Sequence, residues 1–354
     1  MNVKLSKKDL EKSYHLLDVK EINISIADLL FSTFEETEHF EWAGTREEYF
    51  KRMLSFWNIP DSPNEDKEII EKYVKEAIFP LDPLSFINNP YLQSVRPRPI
   101  KFKNYSLDYS EYKAYQPFPL DEIKVDETDY KETSPIGFFE SDFSYLSITK
   151  DNEMWMCITP NEMNTMEPHI KSAKGDVLVL GLGLGYYAYM ISLKKEVRDI
   201  TIIEIDDNVI QLFKDNLFDF FPHKEKIHII KADAKDYIKN TSNKYDTIFI
   251  DLWHNPVDGL PLYLYFKKLE YRFKNCKFQY WLEKSMIALY RRCLLTVYEE
   301  SLQGYKDKDY LKAKTEIDKI INSIYFKTKN ITINSYDDIH NLLSDASILR
   351  LLSK

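Results

Sequence analysis

Apolar residues recur at helical spacing through the first 79 positions, most clearly at Ile69, Ile70, Tyr73, Val74, Ala77 and Ile78, with breaks at Pro60 to Pro63 and at Pro80. The spacing predicts a helical amino-terminal region over 1–79. From 80 to 145 the helical period disappears. Prolines at 83, 90, 97, 99, 117, 119 and 135 alternate with tyrosines, a texture that predicts short strands, extended connections and a segment able to cover a substrate. Within it, Arg96 to Lys103 reads as an edge strand with solvated charges, and Phe138 to Asp142 as a candidate acidic lid. Tyr145 to Ile148 and Met154 to Ile158 then read as strands. Thr159-Pro160-Asn161-Glu162 has the pattern of a capping box, which predicts a helix running to Lys174 with Gly175 as its left-handed cap.

Beyond that helix, strand and helix patterns alternate. Strands are expected at 176–180, 200–205, 227–230 and 247–250, with helices at 186–195, 208–218 and 234–239 between them. A helix near 262–273 and a fifth strand at 277–282 complete the series. The strands are near-continuous apolar runs, as required when helices cover both faces of a parallel sheet. The fold class is therefore α/β, a doubly wound Rossmann-like parallel sheet over 146–283. A helical region over 284–354 follows, with helices expected at 285–303, 311–325 and 338–352.

The first of these strands runs straight into Gly181-Leu182-Gly183-Leu184-Gly185. Only eight glycines occur in 354 residues, so three within five positions imply a backbone that turns sharply and approaches a ligand closely. A dinucleotide fold wants G-x-G-x-x-G, and Tyr186 stands where its last glycine belongs; no Lys-Ser or Lys-Thr pair follows to make a P-loop. The spacing G-x-G-x-G after an apolar strand resembles the first loop of class I S-adenosylmethionine (SAM)-dependent enzymes. Gly181, Gly183 and Gly185 are thus cofactor-binding candidates, and amides at the following helix start could receive a carboxylate.

Other polar residues fall at strand ends, where open α/β sheets bind ligands. Glu204 ends the second strand about twenty residues past the glycine loop, where a carboxylate can accept both ribose hydroxyls of a nucleoside. The third strand is followed by Asp233-Ala234. The resemblance assigns adenine recognition to this pair, while an N-cap role for Asp233 is equally compatible. The fourth strand ends Asp251-Leu252-Trp253-His254. Together with the glycine loop, Glu204 and Asp233-Ala234, this segment resembles the spermidine synthase-like branch of the SAM-dependent superfamily, over residues 140 to 283. That branch typically carries Asp-Ser-Ser-Asp here, its last acid deprotonating the attacking amine. This chain keeps the first acid and has a histidine at the base position, so Asp251 and His254 are the catalytic candidates. The class I antiparallel hairpin that closes the sheet is not recognisable, and the carboxy-terminal helices are candidates to replace it or to form a homodimer surface.

These features imply an enzyme, and two reactions are compatible with them. The leading expectation is a SAM-dependent methyltransferase acting on a small-molecule nucleophile. The alternative is an aminopropyltransferase using decarboxylated SAM and a diamine; a third reading is a non-catalytic SAM-binding protein. The net charge of −9 argues against a nucleic-acid partner and suits a cationic small substrate. Three cysteines without paired spacing, no apolar leader and no long apolar run point to a cytoplasmic chain without a membrane partner. His223, His228 and His254 lack ligand spacing, so no metal is expected.

Overall fold

The computed structural model describes residues 1–36, 40, 44–310 and 313–353. At its centre five parallel strands, Gly175–Leu180, Val197–Glu204, Ile227–Lys231, Thr247–Ile250 and Lys277–Tyr280, lie in the order third, second, first, fourth, fifth. The first strand pairs on both sides, Leu180 lying between Ile203 and Ile250. Val177, Leu178, Ile200, Ile202 and Ile248 are completely buried, which is why their sequence shows no polar alternation. The order reverses between the first strand and the fourth, placing the crevice for a ligand beside the glycine loop. The expected doubly wound Rossmann-like sheet is therefore present.

Several boundaries differ from the sequence pattern, each for a local reason. The second strand starts at Val197 because Gly175 and Asp176 pair with its first residues across a register shift. The helix after the glycine loop stops at Ser192. The helix expected at 262–273 runs instead from Pro256 to Lys267, started by a complete capping box between Asn255 and Asp258. Gly175 is left-handed (φ +70°), but the preceding helix has already ended at Ser172. A Cβ at Gly175 would lie 1.9 Å from Asp246 Oδ2, so the glycine serves the strand start. Among the described residues the sheet ends at the fifth strand, without an antiparallel hairpin.

Helix Glu283–Leu302 packs against helix Pro256–Lys267 and the carboxy-terminal helices. The helix expected at 311–325 falls partly outside the described residues; the observed one is Glu316–Thr328, set by a Thr315–Asp318 capping box. The helix expected at 338–352 is two, Tyr336–Leu343 and Asp345–Leu352, because Ser344 ends one and caps the other. The carboxy-terminal region is tied to the amino-terminal half by the Arg292–Glu132 and Lys20–Glu299 ion pairs and by parallel pairing of Asn2–Val3 with Thr332–Ile333.

Helices Lys7–Glu36, Arg46–Phe56 and Glu65–Val74 form the amino-terminal part. Two small sheets of three or more strands follow, besides the two-stranded pair Lys124–Val125 and Glu132–Thr133. One holds Ile78–Leu81, Ile136–Phe139 and Phe118–Pro119. The other is antiparallel, in the order Glu153–Cys157, Phe143–Lys150, Tyr105–Tyr112, Ile100–Phe102, so the basic run does end on an edge strand. The acidic lid is not formed: Phe138 and Phe139 are core residues, Phe138 stacking on Tyr49 at 4.0 Å, and Asp142 accepts a hydrogen bond from the Ala114 amide. Among the described residues no helix is long and apolar enough to cross a membrane.

Candidate functional site

The three loop glycines are required for different reasons. Gly181 has φ +101°, and a Cβ there would lie 2.0 Å from the Asp251 carbonyl oxygen, so the first and fourth strand ends touch through bare backbone. At Gly185 (φ +78°) a Cβ would enter the Phe213 and Phe221 rings. Gly183 (φ +53°) has no atom within 4 Å of its would-be Cβ, so the middle of the loop faces open space. Two glycines pack the loop and the third presents its backbone outward.

Glu204 fixes this loop to the second strand. Its Oε2 accepts the Leu182 amide at 3.2 Å and its Oε1 accepts the Ile205 and Asp206 amides at 2.8 Å each. Burial raises its pKa and the three amides oppose the rise. A carboxylate has about four acceptor sites, so capacity remains for a ligand hydroxyl. Asp233 accepts the Asp236 amide at 2.9 Å and thereby caps helix Ala234–Asn240. The N-cap reading of Asp233 is thus realised, with its second oxygen and half-buried Ala234 beside the third strand end.

The antiparallel sheet covers this edge. Tyr105 donates its hydroxyl to Asp206, which also caps helix Asp207–Asn216. Lys150 lies over the Tyr105 and Trp155 rings, 5.3 and 4.5 Å from their centroids. Trp155 in turn meets the His254 ring edge-on at 4.8 Å.

His254 is exposed, and its Nδ1 lies 3.1 Å from Asp258 Oδ2, the carboxylate that caps the next helix. Its ring faces the rim of the edge. Asp251 lies deeper. Its amide donates to Leu180 O, its side chain has no hydrogen-bond partner among the described residues, and enclosure by protein pushes its pKa up to about 7. The Asp251 charge acts on Glu162, which the sequence pattern presented only as a helix cap. Thr159 Oγ1 does accept the Glu162 amide, at 3.4 Å, but the reciprocal half of the box is not made. The Glu162 carboxylate instead shares Asp251's surroundings, and burial together with the Asp251 charge holds its pKa well above the carboxylate range. Its position in the first turn of the helix leading into the glycine strand was the available signal. Tyr186 lies close enough to feel the Glu162 charge, whereas Tyr187 is core, stacked on Phe249 at 3.9 Å. Among the described residues no cluster of three or more His, Cys, Asp or Glu could hold a metal ion.

Residues 162–274 match the family model of the spermine/spermidine synthase domain. Over 138 residues the chain is 25% identical to a polyamine aminopropyltransferase of Clostridium botulinum, covering 37% of this chain and 46% of the relative. Over 88 residues it is 30% identical to polyamine aminopropyltransferase 2 of Hyperthermus butylicus, covering 24% and 28% respectively. The chain therefore spans less than half the length of these curated relatives. Among solved structures, a spermidine synthase from Thermotoga maritima is similar at 18% identity, covering 42% of this chain and 55% of that one, with a TM-score of 0.30. The matches overturn the expectation of a methyltransferase acting on a small nucleophile: the matching family is the spermine/spermidine synthase domain and the curated relatives are named polyamine aminopropyltransferases.

Proposed function

We propose, from the premise that the α/β domain of this chain is of the spermidine synthase-like branch of the class I SAM-dependent fold, that the chain transfers an aminopropyl group from decarboxylated SAM to a small amine. The observation that carries this reading is the match over residues 162–274, which takes in the glycine loop, Glu204, Asp233 and Asp251. The local structure fits such a nucleoside. Gly183 opens the loop where a backbone must approach a ligand, and Glu204 is buried with acceptor capacity left for ribose hydroxyls. Asp233 and Ala234 stand at the next strand end for the adenine ring.

When bound, decarboxylated SAM supplies a sulfonium carbon open to attack and a thioether leaving group. The chain's own contribution is positioning and proton handling. Asp251 titrates near neutrality and can therefore hold an ammonium as a carboxylate or take its proton. His254, tied to Asp258 at the rim, is suited to contacting the distal part of an amine entering past Trp155. The acidic balance of the chain favours a cationic substrate.

The test is incubation of the purified chain with decarboxylated SAM and a panel of α,ω-diamines, followed by mass spectrometry. Aminopropyl-extended amine and 5′-methylthioadenosine should appear in equal amounts. Absence of both with every diamine would refute the reading.

A further inference from the structure

We propose that Trp155, with Lys150 seated on its face, sets the acceptor preference of the amine site, favouring an alkylamine with an uncharged far end over a diamine; this rests on the aminopropyl-transfer reading above. Trp155 reaches the site through an irregularity of the antiparallel sheet. Met154 pairs with Thr149 and Met156 with Ile148, so Trp155 is the extra residue of a β-bulge between strands Glu153–Cys157 and Phe143–Lys150. A bulge re-aims the side chain it carries. The re-aimed indole is half-buried, in edge-on contact with the His254 ring at 4.8 Å between centroids, and Lys150 Nζ lies 4.5 Å from its own centroid. Lys150, Trp155 and His254 thus form one continuous wall running from the second strand end to the fourth.

Lys150 is held in that wall from its other side as well. Its ammonium lies 5.3 Å from the Tyr105 ring centroid and 3.9 Å from Asp206 Oδ2, the carboxylate to which Tyr105 donates its hydroxyl. A cation over an indole takes the electron-rich ring face that a substrate ammonium would otherwise use. What Trp155 offers an acceptor is then its apolar periphery. On the His254 side the carboxylate of Asp258 is already engaged: Oδ2 lies against the His254 ring nitrogen and accepts the His254 amide, and Oδ1 accepts the Asn255 amide. With the reacting amine at Asp251, a second ammonium at the far end of the acceptor would meet a like charge behind the indole and a carboxylate with its donors in place. A methyl end would instead pack against Trp155 and His254 without either cost.

The experiment compares n-butylamine with 1,4-diaminobutane, which have the same carbon chain, as acceptors with decarboxylated SAM, and measures their binding by calorimetry in the presence of 5′-methylthioadenosine. The unaltered chain should use butylamine with a kcat/KM about tenfold above that of diaminobutane, the size of a partly screened like-charge contact, and the difference should lie in KM. Lys150→Met keeps an apolar stem over the indole and removes the charge; it should narrow that ratio about fivefold or more by lowering the KM of diaminobutane. Lys150→Arg, which keeps the cation, should keep the ratio of the unaltered chain. A merely structural role for Lys150 would slow both amines together, and an unchanged ratio in Lys150→Met would overturn the inference. Preference of the unaltered chain for diaminobutane would also overturn it while leaving the transfer reading intact. Tighter binding of butylamine that Lys150→Met evens out, with no product from any amine, would support the selection and sink the transfer reading. Binding of neither amine to the unaltered chain would overturn the selection.

Discussion

Replacing Asp251 with asparagine should stabilise the protein above neutral pH while abolishing amine transfer. Enclosure moves the Asp251 carboxyl from its ordinary value of 3.8 to about 7. Between about pH 4 and pH 7 the folded chain holds a proton here that the unfolded chain has released. Stability therefore falls as pH rises through that window and levels off above it. At about 1.4 kcal/mol for each tenfold change in proton affinity, the full window is worth on the order of 4 kcal/mol. An asparagine amide left without partners takes back about 1 to 3 kcal/mol of the relief, leaving a net gain of roughly 2 kcal/mol at pH 8. Each kcal/mol moves the midpoint by about 2 °C in a chain of this size, so Tm should rise by about 4 °C at pH 8. At pH 5, where Asp251 is already neutral, the variant should be no more stable than the unaltered protein. Thermal unfolding followed by circular dichroism across pH 5 to 8 reads both arms. A variant less stable than the parent at pH 8, or a parallel pH dependence of the two, would refute the argument that Asp251 is an unpartnered, enclosed acid.

The loop glycines should separate folding from binding. Gly181→Ala drives a Cβ onto the Asp251 carbonyl and should cost more than about 3 kcal/mol in chemical denaturation, whereas Gly183→Ala meets no atom and should cost only the left-handed strain, about 1 to 2 kcal/mol. Gly183→Ala should nevertheless weaken methylthioadenosine binding in calorimetry; equal stability losses at the two positions would contradict the packing described. Glu204→Ala removes three hydrogen bonds from backbone amides together with the proposed ribose contact, and should weaken methylthioadenosine binding about ten- to a hundredfold while lowering Tm. An unchanged affinity would remove Glu204 from the cofactor site.

What the sequence made legible follows from how local the governing physics is. The parallel sheet was readable because its central strands are buried on both faces, so Val177 to Leu180 and Ile248 to Ile250 are apolar throughout. The glycine loop was readable because Gly181 and Gly185 leave no room for a side chain. The boundaries that shifted depend on partners elsewhere: the second strand begins early because Gly175 and Asp176 reach it. The long carboxy-terminal helix breaks at one serine whose capping role competes with continuation. Phe138 and Phe139 looked like a lid because their flank is acidic, but sequence alone does not show that their faces meet Tyr49 and Phe118.

The site shows the same division in sharper form. Glu204, Asp233 and Asp251 are found by their distance from strand ends, a one-dimensional rule that the parallel sheet enforces. Glu162 obeys a different one-dimensional rule, the capping box, and the structure honours only its backbone half. The carboxylate stays out of the box and lies where the Asp251 charge acts on it, a placement that depends on where the helix packs and not on the local pattern. His254 presents the converse case: it occupies the base position by alignment, yet its ring is committed to the cap of the following helix through Asp258.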